Sequence, residues 1–307
     1  GLFLLCIFTG ACSKNDNDEG FIRKDNDMTT SEKDNQNGVA IVAGNEKKIT
    51  DNDNKKGSSD NTEQSGGNGE AYASGNVKSK LNKEDIIKKL RDLPAGEVTD
   101  VSRLGEEKLN DLFYSQELNQ DIIDRITGKS YKEDCDVPYS DLRYIRVLHI
   151  GFDGKTRIGE LIVNKAIAQD VIDIFRELYS ISYPIEKMIL IDEYDADDIK
   201  SMADNNTSAF NFRFIEGTKK RSVHSDGLAI DINPLYNPYV RTRDGKLEIL
   251  PENAGEYADR TKDNIYYIKK DDPCYRAFTD RGFTWGGEWK NSKDYQHFEK
   301  KIDNQDF

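Results

Sequence analysis

Histidine is scarce in this chain: 307 residues contain only three, His149, His224 and His297. Tryptophan occurs twice, cysteine four times and proline seven times. Apolar residues make up 36% of the chain against 33% charged, an apolar share too low for a chain folded throughout. Basic residues are outnumbered, 44 Lys and Arg against 57 Asp and Glu, which leaves a net charge of −13. No Lys/Arg cluster interleaved with aromatics stands out, which argues against a nucleic-acid partner, since phosphate binding needs a basic face. No CxxC spacing occurs either, so cysteine ligation of a metal is not expected.

The polar excess is concentrated. From Ser13 to about Lys80, Asn, Asp, Lys, Ser and Gly dominate, and Phe21 and Tyr72 are the only aromatics. Such a segment cannot bury enough apolar surface to offset the entropy of ordering it, so residues 13–80 are expected to be a disordered polar linker. Within it, GVAIVAG at 38–44 could pair only transiently as a strand. The preceding GLFLLCIFTGAC, residues 1–12, is too short to span a bilayer and matches the end of a secretory signal. Its Thr9-Gly10-Ala11-Cys12 ending resembles a bacterial lipobox, with Thr9 where that pattern prefers Leu. Cys12 is therefore the expected lipidation site, and the protein would be extracytoplasmic and lipid-anchored to the bacterial cell membrane; an ordinary cleaved signal, giving a secreted protein, is the alternative. In an exported protein Cys135 and Cys274 could form a disulfide or remain two separate thiols, because spacing in sequence does not set geometry.

Residues 81–134 read as a helical lead-in, with helices over NKEDIIKKLRDL, GEEKLNDLFYSQEL and NQDIIDRITG. From 135 to 307 the pattern is that of one domain. DLRYIRVLHIGF and KTRIGELIVN alternate as strands around Asp153-Gly154, a hairpin signal. KAIAQDVIDIFRELYS places Ile167, Val171, Ile174, Phe175 and Leu178 on one helical stripe, with Asn164 as a plausible cap. EKMILIDEY, SAFNFRFI, LAIDINP and YQHFEK are expected as further strands, DADDIKSMADN as a short helix or turn, and about Pro273 to Arg281 as the last helix. Hairpins mixed with helices, without regular βαβ alternation, indicate an α+β fold.

Chemistry concentrates near the C-terminus. His224 and Asp231 stand in RSVHSDGLAIDINP, and His297 follows in KDYQHFEK. Two imidazoles and a carboxylate from separate segments suit an open, catalytic zinc site. Asp231 lies in an apolar run, where a buried carboxylate needs a partner: a metal, or an arginine such as Arg213 or Arg221. A hydrolytic site also needs a carboxylate to carry a proton. Asp294 is the first candidate, with Glu299 and Glu288 as rivals. His149 has no motif around it and is assigned to structure. Trp285 and Trp289 could line a groove or fill the core, and Gly286-Gly287 suggests a close backbone approach.

SVHSDGLAIDINPLYNP resembles the Ser-x-His-(x6)-Asp signature of the zinc D-alanyl-D-alanine carboxypeptidase family, relatives of vancomycin-resistance carboxypeptidases and dipeptidases and of phage L-alanyl-D-glutamate endolysins. DYQH is similar to that family's second signature, TSAFNFR to its arginine segment, and FTWGGEW to the turn before the second signature. The four elements occur in the family's order within about 135–301. The resemblance implies an antiparallel sheet with flanking helices, Hedgehog/DD-peptidase-like, and a Zn2+ cofactor bound by His224, Asp231 and His297. It makes Asp294 the general base, Arg213 the residue that holds a substrate carboxylate or polarises the scissile carbonyl, and Ser222 an orienting neighbour of His224. The implied protein is a monomeric metallopeptidase of peptidoglycan stem peptides, touching membrane only through its lipid. It would be a D-alanyl-D-alanine carboxypeptidase, with an L-alanyl-D-glutamate endopeptidase or a non-catalytic metal- or wall-binding module as alternatives.

Overall fold

The computed structural model describes residues 82–215 and 218–302. The expected signal, Cys12, the polar linker and GVAIVAG lie outside these residues, as does Glu216. The described residues fall within one compact unit, Ser74–Phe307.

Helix α1, Lys83–Arg91, is capped by Asn82, whose side chain accepts from the Asp85 amide, and buries Ile87 and Leu90. Helix α2 is short, Glu106–Asn110. The sequence pattern extends that helix through FYSQEL, but Tyr114–Glu117 is instead a strand, β1. It pairs antiparallel with the first strand of the following hairpin, Tyr114 opposite Arg146 and Glu117 opposite Arg143. Pairing along a sheet edge outweighed the weak local helix preference. Helix α3, Gln120–Ile126, buries Ile122 and Ile126.

The hairpin forms as its sequence predicts. Strands β2, Leu142–Ile150, and β3, Thr156–Asn164, pair in register from Leu142 opposite Asn164 to Ile150 opposite Thr156. Gly154 turns the chain at φ +75°. Helix α4, Ala168–Ser180, lays Val171, Ile174, Phe175 and Leu178 over this sheet. Period-2 alternation gives the sheet two buried faces. Ile145, Val147, Leu161 and Val163 join the α4 core, while Leu142, Tyr144 and Ile162 pack with Ile122, Ile126, Phe210 and Phe212.

Two expected strands do not form. In EKMILIDEY, Met188 is fully buried, but the segment makes only the single bridge Lys187–Asn206 before a 3-10 turn at Ile191–Tyr194. The Asn206 side chain takes the place of a ladder partner: its Oδ1 accepts from the Ile189 amide and its Nδ2 donates to the Ile189 carbonyl. SAFNFRFI is held piecemeal, Ser208 bonding to Asp231, Phe210 to Ile162 and Phe212 to Ser130. Hydrogen bonds shared among three segments satisfy the backbone without making a strand. Helix α5, Asp198–Ala203, follows the DADDIK pattern.

The remainder forms two small antiparallel sheets. Strand β4, Ala229–Asp231, starts the one that matters most here. The hairpin β5, Tyr239–Arg243, and β6, Lys246–Leu250, belongs to the other. Helix α6, Pro273–Thr279, has Asp272 as cap and Pro273 in its first turn, where a missing N–H costs nothing. Three short strands complete the chain: β7, Thr284–Trp285, β8, Ser292–Asp294, and β9, His297–Glu299. The sheet orders are β4-β9-β7 and β6-β5-β8.

Cys135 and Cys274 are free thiols, so the possible disulfide between them is not made. Cys274 is fully buried in the α4 core, whereas Cys135 packs against the Ile122–Phe212 cluster on the other side of the first sheet.

Candidate active site

The candidate site grows out of the β4–β9 ladder. Asp231 sits directly opposite His297, Ile230 opposite Phe298 and Ala229 opposite Glu299. Alternation then sorts the side chains. Ile230 and Phe298 are fully buried in the main core, where Phe298 stacks on Phe278 at 4.2 Å between ring centres. Asp231, His297 and Glu299 share the opposite face.

His224 reaches this face from a 3-10 turn, Val223–Asp226. Ser222 caps the turn, accepting from the His224 amide at 3.3 Å. Gly227 closes it at φ +66°, and a Cβ there would stand 2.6 Å from the Asn164 backbone nitrogen. The turn is therefore bound to the end of β3 by close backbone approach, and the Asn164 amide donates to the Gly227 carbonyl at 2.8 Å. Ser225 fastens it on the other side, its hydroxyl accepting from the Arg213 amide and donating to the Arg213 carbonyl.

The three side chains meet. Asp231 Oδ2 is 3.2 Å from His224 Nε2, and Asp231 Oδ1 is 3.0 Å from His297 Nδ1. The two imidazole nitrogens lie 3.2 Å apart. All three residues are buried, and one donor atom from each lies within 4.8 Å of the others. The outer nitrogens settle which atoms these donors are. His224 Nδ1 is 2.7 Å from the Ala209 carbonyl, which can only accept, so Nδ1 carries the proton and Nε2 presents a lone pair. His297 Nε2 is 3.2 Å from the Glu299 carboxylate, so Nε2 donates there and Nδ1 faces the other two donors, offering a lone pair once a metal replaces its proton.

Two lone pairs and a carboxylate directed at one another repel unless a cation sits among them. The charges around the cluster favour positive charge at its centre, supplied by a proton or by a metal. Burial opposes the imidazolium form of His297, yet Asp231 and Glu299 push it up to about 10. Burial likewise opposes charge on Asp231, but His224 and His297 hold its carboxyl well below the usual range. Imidazole nitrogens with their outer N–H groups fixed, plus one carboxylate, are the donor set of a divalent metal such as zinc. The residues present fit such an ion.

Asp294 ends β8, opposite Tyr239 of β5. The residue keeps an exposed margin, but its Oδ1 is buried without a hydrogen-bond partner. Burial pushes its carboxyl up to about 7, with His297 and His224 pulling down and Asp231 pushing further up. Gly286 makes the placement possible. A Cβ there would stand 2.6 Å from the Asp294 carbonyl oxygen and 3.2 Å from the His297 Cβ. The GG pair hints at this in the sequence, but its neighbour across space does not.

The rival acids are occupied elsewhere. Glu288 pairs with Lys270 at 3.2 Å and accepts from the Tyr275 hydroxyl. Glu299 lies at the outer nitrogen of His297. Arg213 pairs with Asp198 rather than Asp231: its Nη2 is 2.7 Å from the Asp198 carboxylate, while Nε is buried without a partner. Arg221 bonds Asp136 and Asp226. Trp285 is core, donating to the Tyr295 carbonyl at 2.9 Å. Trp289 tilts against His297 with ring centres 5.3 Å apart. Neither Asp198 nor the Ala209 carbonyl could have been named from the sequence, because nothing local marks them.

No curated protein and no solved structure matches the chain. Residues 216–300 match the family model described as D-alanyl-D-alanine carboxypeptidase. That span holds His224, Asp231, Asp294 and His297, while Arg213 and the first sheet lie before it. The part of the chain that builds the metal-fitting cluster is thus similar to the D-alanyl-D-alanine carboxypeptidases, a family of peptidases.

Proposed function

We propose that the chain is a zinc-dependent peptidase that hydrolyses peptidoglycan stem peptides, removing the terminal residue from a D-alanyl-D-alanine end. The observation that carries this is the convergence of His224 Nε2, His297 Nδ1 and the Asp231 carboxylate, with Asp294 in electrostatic reach of all three. Those three side chains would hold the zinc ion, and a bound zinc supplies Lewis acidity toward the scissile carbonyl. The rest is the work of this chain. Asp294, with its carboxyl raised toward neutrality, takes a proton from the attacking water and delivers it to the leaving amine as the C–N bond breaks. Ser222 and Ser225 hold the His224 turn, and Arg213 stands behind that turn through its backbone bonds to both serines.

One observation favours a second reading, an L-alanyl-D-glutamate endopeptidase. The Arg213 guanidinium is already neutralised by Asp198, which leaves less net charge for a terminal carboxylate.

The N-terminal sequence supports lipid attachment at Cys12, outside the cytoplasm, with residues 13–80 as a tether. Anchoring would raise the effective concentration of a monomeric peptidase beside an insoluble substrate. A Cys12→Ala variant should release it from the membrane fraction.

The deciding experiment is mass spectrometry of muropeptides incubated with the chain, with zinc and with a chelator. Zinc-dependent loss of terminal alanine supports the first reading, and a cut beside D-Glu the second. An intact substrate in the presence of zinc-loaded, folded protein would replace both with a binding module.

A further inference from the structure

Resting on that metal-site reading, we infer that Glu299 is a positioning residue: it holds His297 in the one tautomer and ring orientation that aims Nδ1 at Asp231 and His224. The strand geometry leaves it little else to do. His297 and Glu299 are two apart on β9, so they share one face, and the residue opposite Glu299 across the ladder is Ala229, too small to compete for its carboxylate. Glu299 Oε2 lies 3.2 Å from His297 Nε2. The other His297 nitrogen is the one within 3.0 Å of Asp231 and 3.2 Å of His224. The two nitrogens of an imidazole point away from each other, so a carboxylate bonded at Nε2 stands behind the ring, away from the point where the three donors meet.

That placement separates Glu299 from Asp294, although sequence makes both candidates for the same proton-carrying task. It also pairs Glu299 functionally with the Ala209 carbonyl, which does for His224 Nδ1 what Glu299 does for His297 Nε2. One histidine is oriented by the backbone and the other by a side chain, so only the second can be tested by substitution. Thr284 assists from the neighbouring strand, its hydroxyl donating to the Glu299 carbonyl at 3.3 Å.

The test compares wild type, Glu299→Ala and Glu299→Gln in the full chain, measuring zinc affinity by competition with a chromophoric chelator. The ring nitrogen of His297 that keeps its proton is read in parallel by long-range 1H–15N NMR of the zinc-loaded protein. Loss of an outer partner of a metal-bound histidine typically weakens affinity by about 10- to 100-fold, and that is the effect expected for Glu299→Ala. Glu299→Gln keeps an acceptor and should stay within about threefold of wild type. An Nε2–H with Nδ1 on the metal should persist in Glu299→Gln and give way to a mixture of Nδ1- and Nε2-bound forms in Glu299→Ala. A merely structural glutamate would lower the melting temperature of both variants alike and leave tautomer and affinity unchanged, which would overturn the assignment. Wild-type protein that took up no zinc would overturn the metal-site reading and this assignment with it. Wild-type uptake with an unchanged Glu299→Ala affinity would overturn the Glu299 role alone.

Discussion

The β2–β3 hairpin and the β4–β9 ladder are both antiparallel pairs, yet they are built to opposite plans. The first runs nine residues per strand and buries both faces in apolar cores. The second runs three residues per strand, buries one face and gives the other to His297, Asp231 and Glu299. A long apolar pair can stabilise itself by burial alone. A three-residue ladder cannot, and it persists because Phe298 and Ile230 are clamped in the core behind it. The polar face carries the candidate metal-binding group, and it is held in place by its apolar back.

Separating chemistry from stability should give the largest effect. Replacing Asp294 by Asn is expected to lower kcat by about 10²- to 10⁴-fold, the usual contribution of a general acid–base. Zinc affinity and melting temperature should stay near wild type, checked by chelator competition and calorimetry. Undiminished activity would remove Asp294 as the proton carrier.

Attacking the same ladder from its core side should do the reverse. Phe298→Ala is expected to cost about 3–5 kcal/mol in urea unfolding and to weaken zinc binding through loss of the strand that bears His297. A variant with wild-type zinc affinity would show that the site does not depend on its apolar back.

The hairpin carries its own histidine, and there burial has the opposite consequence. His149 Nδ1 donates to the Ile185 carbonyl, Nε2 is buried without a partner, and burial pushes the imidazole down to about 4 from 6.5. The folded protein therefore keeps His149 neutral where the unfolded chain protonates it. Between those values the unfolded state binds more protons, so stability falls as pH is lowered from about 6.5 toward 4. The loss attributable to this residue should be about 3 kcal/mol. Unfolding of wild type and His149→Leu across pH 7 to 4 measures it as the difference in slope.

Gly286→Ala is the mildest and most local change. Its Cβ would press on the Asp294 backbone, so a cost of about 1–3 kcal/mol and reduced activity are expected. Unchanged activity would mean that β8 can shift without moving Asp294 out of place.

Much of this was legible from residues alone. Alternation, the Asp153-Gly154 turn and the α4 stripe are local patterns, and local periodicity decides which face of an element is apolar. The scarcity of histidine made His224 and His297 conspicuous, and Asp231 inside an apolar run demanded a partner. The two absent strands, EKMILIDEY and SAFNFRFI, are as apolar as real ones. They differ only in having their hydrogen bonds taken by Asn206 and by scattered segments, which no window of sequence contains.

By itself, then, the sequence determined the α+β character, the long hairpin and the kinds of side chain available for a metal, whereas the expected cap Asn164 starts a 3-10 turn, Lys165–Ile167, ahead of α4. Tertiary structure alone decided that His297 stands opposite Asp231 across 66 residues and meets His224 across 73. It alone decided that Arg213 turns to Asp198, that Cys135 and Cys274 fall in separate cores, and that Glu299 serves the back of an imidazole. The physical reason is one of range. Side-chain type and periodicity are properties of neighbours in the chain, whereas a donor's partner is set by strand register and close backbone approach between segments that meet only once the core has formed.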